Sequence, residues 1–513
     1  MLVEGGAKKV LFNSREFLFA FLPATLLLTY LGLRLGGRAA GILTLTGASF
    51  FFYGWWDYRA LSVIIMSIAF NFSLANAIAQ RSDARQRRGL LWTGVIGNLG
   101  LLGYFKYANF AVENLQALLG LSVGAMHIVL PLAISFYTFQ QIAFLVDTYD
   151  GKVSRTPFRD YLISVVFFPH LIAGPLLHYR DIIAQFERKF SVGWATISVG
   201  LPIFIVGLAK KVAIADPIAQ FVSPLYAKAV SGPLDFASAW AAALGYTAQL
   251  YFDFSGYSDM AIGIAVMFGI ALPINFLSPY KATSIIEFWR RWHITLSNFL
   301  RDYIYFRLGG GRVGEVRRYL NLMIVMALGG LWHGAAWTFV FWGFLHGSYL
   351  VVNHLWRSHV SSRLGWVNDV LAPAYLALTF IVVVIGWVFF RAEDFTAASH
   401  VLVGMFSLRN IGLPVELQQV FGVPAWSGIA WGVGLSFSDF SAFWVFVLLA
   451  YLIISFAPNT AEIFGLDGAN VPVVKSSGHR SSSFAVGATT ALIWIACFGI
   501  FSAAPSEFLY FKF

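Results

Sequence analysis

Hydrophobic residues run through most of this chain in stretches of about 20, separated by short polar or glycine-rich connections. About 20 apolar residues is the length that an α-helix needs to cross the hydrocarbon core of a bilayer. The clearest spans are predicted at residues 16–34, 38–56, 60–80, 90–112 and 128–148. Further apolar segments lie near 161–180, 194–214, 236–270, 320–350, 370–391, 441–457 and 485–503. The pattern predicts an all-α polytopic integral membrane protein with about 11–13 membrane segments.

Some segments are unsuited to a simple span, notably 161–180 and 236–276. The first contains Phe168-Pro169-His170 followed by Gly174-Pro175, and the second is too long or too interrupted. Broken helices at membrane depth are tolerated where they line a cavity. We therefore expect re-entrant segments among the membrane helices.

Composition supports the bilayer as the main solvent of this chain. Hydrophobic residues make up 58% and charged residues 12%, and the mean hydropathy is +0.71. Soluble domains carry about 25% charged residues. The net charge of +10 comes from basic residues clustered between apolar stretches, which favours membrane lipid and not nucleic acid as the partner. The single cysteine, Cys497, allows neither an internal disulfide nor a cysteine-based metal site.

Basic connections predict the orientation, because cytoplasmic loops are enriched in lysine and arginine. Residues 81–89 hold four arginines against one aspartate, so this loop is predicted to be cytoplasmic. Three spans precede it, which puts the N-terminus outside. Residues 281–318 hold eight basic residues against three acids and are predicted to be cytoplasmic re-entrant or amphipathic helices. Trp289 and Trp292 suit a headgroup interface there.

His333 lies inside the apolar stretch 320–350, which reads as a membrane span. An ionisable side chain in hydrocarbon is costly and usually faces a cavity in which it has a function. Gly329, Gly330 and Gly334 are expected to leave space beside the imidazole. A desolvated histidine stays neutral and can accept a proton, which makes His333 the candidate general base. The alternative is a structural histidine bonded to a neighbouring helix.

His293 is the second candidate, at the inner mouth of the cavity that His333 would line. Arg290 and Arg291 precede it and suit an anionic phosphate. The alternative is an interfacial histidine on an amphipathic helix. Three further histidines are expected at the interface, namely His346, His354 and His359.

Asp253 and Asp259 place two carboxylates among aromatic residues at membrane depth. Either they take part in the site, or they hold the fold together and are neutralised by the arginines of 290–301. No metal-ligand spacing and no nucleotide-binding motif is present. We therefore expect no metal and no tightly bound cofactor.

Six segments in order resemble the membrane-bound O-acyltransferase family and its alginate O-acetylation branch. They are residues 103–110, 132–137, 168–175, 249–259, 287–293 and 329–334. The resemblance implies one domain over 1–513, with a ring of tilted helices around a funnel. It implies that His333 is the catalytic histidine and that His293 holds a second signature position, which is Asn, Asp or His across the family. The candidate substrate-binding residues are Trp289, Arg290, Arg291, Asp253 and Tyr257.

The activity implied by the resemblance is acetyl transfer across a bacterial inner membrane for exopolysaccharide O-acetylation. The donor would be cytoplasmic acetyl-CoA, and the acceptor would be periplasmic and would work with an SGNH-type acetyltransferase partner. Two alternatives stay open. One is a D-alanyl or other short-acyl transferase with a carrier-protein donor, and the other is a non-enzymatic polysaccharide exporter.

The aromatic tail 505–513 resembles the C-terminal motif of the small single-span partner in D-alanylation. By this resemblance Tyr510 is a possible acyl carrier. A phenolate leaves more readily than an alkoxide, so a tyrosyl ester can pass its acyl group on to a serine. The alternative is an aromatic anchor at the membrane interface.

Overall fold

The computed structural model describes residues 11–120, 124, 126–188, 190–407, 411–412, 437–466 and 509. In this part of the chain the regular elements are helices, with no strand, and the all-α prediction is confirmed. The α-helices are α1 (Leu22–Trp56), α2 (Tyr58–Gln80), α3 (Ala84–Leu102), α4 (Ala108–Leu119), α5 (Ile134–Tyr149), α6 (Phe158–Val166), α7 (Phe168–Leu171), α8 (Tyr179–Arg188), α9 (Trp194–Ala209), α10 (Asp216–Ser231), α11 (Phe236–Met267), α12 (Ile285–Arg291), α13 (Ile294–Leu300), α14 (Glu315–His333), α15 (Trp337–Trp356), α16 (Ser362–Leu364), α17 (Val367–Arg391), α18 (Phe395–Phe406), α19 (Phe437–Phe456) and α20 (Thr460–Phe464). Short π-helical turns occupy Phe17–Phe21, Gly103–Tyr107, Lys210–Ala215, Arg301–Tyr305 and Arg357–Ser361, and a 3-10 turn occupies Pro279–Lys281.

Five helical stretches of the described chain are long and apolar enough to cross a membrane. They are Phe17–Trp56, Tyr58–Gln80, Trp194–Ser231, Val367–Arg391 and Ser438–Phe456. The protein is thus an all-helical, multi-pass membrane protein. The larger number of membrane segments, the ring around a funnel and the cytoplasmic assignment of the basic loops stay predictions.

The first of these stretches contains a sharp break. Gly37 has φ 66° and ψ −163°, which is not helical, so the stretch consists of two helical arms. A positive φ of this kind suits glycine because it has no Cβ. The two arms correspond to the spans predicted at 16–34 and 38–56.

Two apolar segments are interrupted or long, as the sequence indicated. Segment 161–180 contains the end of α6, all of α7 and the start of α8. Phe167 separates α6 from α7, and residues 172–178 are not helical. Helix α11 runs unbroken for 32 residues, longer than a bilayer requires, and the chain is non-helical from Phe268 to Ser278.

The prediction that 320–350 forms one span is wrong. Helix α14 ends at His333, and α15 begins at Trp337 after a three-residue turn. Gly334 has an extended backbone, with φ −159° and ψ 150°. The apolar run is therefore a pair of helices joined by a tight turn, and the histidine stands at the end of the first.

The described residues form two compact units. The first contains 11–208 and 257–274, together with 464–466 and Leu509, and the second contains 209–256 and 275–463, each without its undescribed residues. Helix α11 contributes to both units, because the boundary falls within it. Both candidate histidines, His293 and His333, belong to the second unit. The single-domain prediction for 1–513 is not tested by this division.

Candidate functional site

Direct backbone contact between α14 and α15 positions His333. A Cβ on Gly330 would overlap the carbonyl oxygen of Phe339, and a Cβ on Gly343 would overlap that of Met326. The two glycines therefore let the helices approach more closely than any other residue would allow, as small residues do in membrane helix pairs. Because α14 stops at this contact, the His333 side chain is held next to α15.

The glycines around His333 do not leave open space, contrary to the sequence expectation. A Cβ on Gly334 would overlap the ring of Phe339. The His333 side chain is only 4% exposed, because aromatic rings surround it. Its ring centroid lies 4.9 Å from that of Trp332, 5.2 Å from Trp342 and 5.1 Å from Phe390, at interplanar angles of 68°, 87° and 72°. The imidazole therefore occupies an aromatic cage.

The structure brings the two predicted histidines together. The ring centroids of His293 and His333 are 6.4 Å apart, with an interplanar angle of 52°. His293 is fully buried, and Phe254 packs edge-on against it at 4.7 Å. The interfacial alternative for His293 is wrong. Burial lowers the pKa of His293 to about 3, so this imidazole is neutral at physiological pH.

His293 has an unusual backbone conformation. Its φ of 42° and ψ of 53° place it in the left-handed region, where it caps the start of α13. Only two other non-glycine residues of the described chain have a positive φ, Ala133 and Ser278. Such conformations cost about 1–3 kcal/mol and persist where the surrounding structure enforces them.

Asn275 is the residue that holds this corner in place. Its Oδ1 accepts hydrogen bonds from the Thr295 N–H at 3.2 Å and from the Thr295 hydroxyl at 2.7 Å. The same oxygen lies 3.4 Å from Nδ1 of His293, and the Asn275 carbonyl accepts from the Ile294 N–H at 3.1 Å. The sequence analysis missed Asn275. The available signal was a polar residue two positions after Pro273 at the end of a long apolar stretch.

Helix α12, which precedes His293, is fixed by local polar contacts. Ser284 caps it by accepting from the Glu287 N–H at 3.2 Å, and Arg291 Nη2 lies 2.7 Å from Glu287 Oε1. Burial acts to raise the pKa of Glu287, but hydrogen bonds from the Thr283 N–H and hydroxyl and the Arg291 charge outweigh it and leave that pKa lowered. Arg290 is exposed. Of the two predicted phosphate-binding arginines, Arg290 is therefore the more accessible.

The predicted interfacial position of Trp289 and Trp292 is wrong. Trp289 is 9% exposed and Trp292 is 1% exposed. The Trp289 ring lies 5.8 Å from that of Trp342. Trp292 packs 4.8 Å from Trp387. These tryptophans face inward because α12 packs against α15, so they belong to the aromatic surroundings of the histidine pair.

Asp253 is neutralised by a lysine and not by the arginines of 290–301. Lys211 Nζ lies 2.7 Å from Asp253 Oδ1 and 2.8 Å from Asp216 Oδ1. The side chains of Lys211 and Asp253 are 4% and 1% exposed. Arg291 and Arg301 instead pair with Glu287 and Asp302. Asp253 therefore forms a buried ion pair within the second unit, as a structural role requires.

Two further candidates lie elsewhere. Tyr257 belongs to the first unit, where its buried ring stacks on Phe12 at 4.9 Å and 17°. Tyr510, the possible acyl carrier, lies outside the described residues. Within the described chain no group of three or more His, Cys, Asp or Glu residues is arranged to hold a metal ion.

Comparison with known proteins identifies relatives over most of the chain. A model of the membrane-bound O-acyltransferase family matches residues 153–366. The peptidoglycan O-acetyltransferase of Helicobacter pylori is 43% identical, covering 79% of this chain and 81% of the relative. The probable alginate O-acetylase AlgI of Pseudomonas aeruginosa is 43% identical, covering 78% and 75%. The teichoic acid D-alanyltransferase of Bacillus subtilis is 26% identical, covering 52% and 69%.

Replacing Asn275 with Ala should destabilise the protein. The change removes the acceptor for the Thr295 N–H and hydroxyl at a buried position, which costs about 1–3 kcal/mol. The measurement is the thermal unfolding midpoint of detergent-purified protein, which should fall. The control is Asn298→Ala on the neighbouring helix α13, which should leave the midpoint nearly unchanged. Equal midpoints for the two variants would contradict the proposed role of Asn275.

Replacing Lys211 with Met should be more damaging. The change removes the cation beside two carboxylates, one of them almost fully buried, and breaking a buried ion pair costs about 3–5 kcal/mol. The yield of folded protein and its thermal midpoint should drop sharply. In the double variant Lys211→Met with Asp253→Asn, much of the loss should be recovered, because the buried negative charge is also gone. A double variant as unstable as the single one would argue against this pairing.

Proposed function

Because this chain belongs to the membrane-bound O-acyltransferase family, we propose that it transfers an acetyl group from cytoplasmic acetyl-CoA to a periplasmic acceptor. The chain is a membrane O-acetyltransferase of the alginate and peptidoglycan O-acetylation type. The donor, the direction across an inner membrane and the identity of the acceptor are the parts that we propose.

The observation that carries the proposal is the buried histidine pair, with 6.4 Å between its ring centroids. Acyl transfer from a thioester requires a base for the attacking hydroxyl. His333 takes the hydroxyl proton while the oxygen forms a bond to the thioester carbonyl carbon. The carbon–sulfur bond then breaks, and the proton on His333 passes to the leaving thiolate. The products are an acetyl ester and free coenzyme A, and His333 returns to its neutral form.

The aromatic cage gives His333 two properties that suit this role. It excludes water, which would otherwise hydrolyse the thioester. It also surrounds the imidazolium formed during transfer with π systems, which attract a cation. His293, held by Asn275, is close enough to contact the same substrate and is proposed to orient or polarise the donor carbonyl.

The donor's phosphates are proposed to bind at the exposed Arg290. A guanidinium pairs with phosphate through two parallel hydrogen bonds, which makes arginine well suited to this ligand. Trp289, its neighbour in α12, contacts Trp342, which in turn contacts His333. A donor bound at Arg290 would therefore have its reactive end directed along this aromatic series.

The acceptor is proposed to be the hydroxyl of a periplasmic SGNH-type acetyltransferase or that of Tyr510. In either case a second enzyme would pass the acetyl group to a polymer. The competing function is acyl transfer from a carrier-protein donor, and the D-alanyltransferase relatives are the reason to consider it. These relatives match only about half of this chain.

Replacing His333 with Ala should abolish acetyl transfer because the base is lost. Purified protein in detergent is incubated with radiolabelled acetyl-CoA and partner, and released coenzyme A and transferred label are measured. A loss of roughly 100-fold or more is expected, in line with the contribution of a general base.

The control is His354→Ala, which changes a partly exposed histidine of α15 and should keep near wild-type activity. Thermal midpoints of both variants should match the wild type within a few degrees. A folded His333→Ala variant with full activity would refute the assignment. If wild-type protein is inactive with acetyl-CoA but active with an acylated carrier protein, the donor assignment is wrong and the competing function is favoured.

Replacing Tyr510 with Phe distinguishes transfer to the Tyr510 hydroxyl from direct transfer to the hydroxyl of the periplasmic partner. If the phenol carries the acetyl group, wild-type protein without a partner should retain label, and both Tyr510→Phe and His333→Ala should not. Normal polymer acetylation by the Tyr510→Phe variant would show that transfer to the partner is direct and that the tail is an anchor.

A further inference from the structure

His346 is the most unusual polar residue near the site. The sequence placed it at the membrane interface, but the side chain is fully buried within the second unit. Neither Nδ1 nor Nε2 has a hydrogen-bond partner among the described residues. A neutral imidazole carries one N–H donor and one acceptor, and burying them unsatisfied costs folding free energy. A buried polar group that persists at such a cost calls for an explanation in function.

The surroundings of His346 are aromatic on several sides. Its ring centroid lies 4.9 Å from Trp342, 5.3 Å from Trp289 and 5.5 Å from Tyr349. Phe288 and Trp387 lie slightly further away, at 6.2 and 6.1 Å. The Trp289 ring is nearly perpendicular to the imidazole, at 83°. This is the geometry of edge-to-face contacts, in which the positive edge of one ring meets the negative face of another. These contacts restrict the orientation of the imidazole and of the rings around it.

Helix α17 is adapted to make room for this imidazole. A Cβ on Gly386 would lie 2.7 Å from His346 Nε2 and 3.6 Å from Cδ1 of Trp342. The first distance is too short for two non-bonded atoms, so only glycine at position 386 leaves space for the imidazole where it stands. His346 and Gly386 are therefore matched in shape, and the nitrogen edge of the ring faces the α17 backbone region.

Trp342 connects His346 to the candidate base. It precedes His346 by four residues on α15, so the two side chains lie on the same face of the helix. The Trp342 ring contacts His346 at 4.9 Å and His333 at 5.2 Å, the latter at 87°. The Trp342 side chain is 1% exposed and is also packed against Trp387 and Phe390. One indole thus touches both imidazoles.

We infer that His346 is a positioning residue that sets the orientation of His333 through Trp342. His346 itself does not touch the substrate. Its small, polar ring fits against Gly386 and fixes the indole on one side, and the indole fixes the His333 imidazole on the other. This inference rests on the proposed role of His333 as the base. It assigns a function to a histidine that has no hydrogen-bond partner among the described residues.

The test is a double-mutant cycle with His346→Leu, Trp342→Phe and the combined variant. Leucine is close to histidine in volume and removes both unsatisfied nitrogens, so the thermal midpoint should not fall. If His346 acts through Trp342, each single change should lower kcat by roughly 10- to 100-fold. In His346→Leu, KM for the donor should stay unchanged, because His346 does not touch the substrate. The combined variant should be no slower than the slower single variant, because both changes interrupt the same path.

The matched control is His354→Leu, two turns further along α15 and partly exposed, which should keep wild-type kcat. If His346→Leu does not fold, Gly386→Ala replaces it in the cycle, because it displaces the imidazole without removing it. Wild-type kcat in folded His346→Leu would overturn the inference. The inference would also be overturned if the kcat losses of the two single variants multiplied in the double variant. It would be overturned as well if the kcat loss in a variant were matched by an equal loss of folded protein.

The cycle is run with whichever acyl donor the wild-type protein turns over. Failure of the wild type with acetyl-CoA would therefore refute the donor assignment alone. Failure of the coupling between His346 and Trp342 would refute the positioning role alone.

Discussion

Backbone contact between α14 and α15 at Gly330 and Gly343 is the interaction on which the histidine site depends. Inside a bilayer, helices gain little from burying apolar surface against one another, so their association relies on close packing and on satisfied polar groups. The glycine contact provides this packing. Helix α14 ends three residues after Gly330, so His333 stands beside aromatic rings of α15 and α17.

Several buried polar or charged groups of the described chain are compensated by a nearby side chain. Lys211 lies between Asp216 and Asp253, and in the first unit Asn71 and Asn98 exchange amide hydrogen bonds of 3.1 and 2.6 Å. Such pairs satisfy polar groups that lipid cannot. Neither ring nitrogen of His346 has a hydrogen-bond partner among the described residues, and its proposed role rests on its packing against Trp342 and Gly386.

Sequence reasoning singled out His333 because an imidazole in an apolar run is costly, and His293 because it follows Arg290 and Arg291 in a basic stretch. The structure brings their ring centroids to within 6.4 Å. Sequence reasoning also placed the break near Gly37 correctly. It failed where the outcome depends on which helix face points inward. Hydropathy cannot show that His346 and Trp289 face the interior, and it cannot choose between Lys211 and the arginines as partner of Asp253. The end of α14 at His333 was missed because Gly334 and two alanines resemble a continuing apolar helix.

The left-handed backbone at His293 has a consequence for which residues this position accepts. Among residues other than glycine, Asn, Asp and His adopt that conformation several-fold more often than the rest. These are the same three residues that the family resemblance allows at this signature position. Their chemistry differs, since one is an amide, one an acid and one an imidazole, but they share tolerance of this turn. The backbone at position 293 therefore constrains main-chain shape independently of side-chain reactivity, and an Asn, Asp or His there is compatible with the same turn.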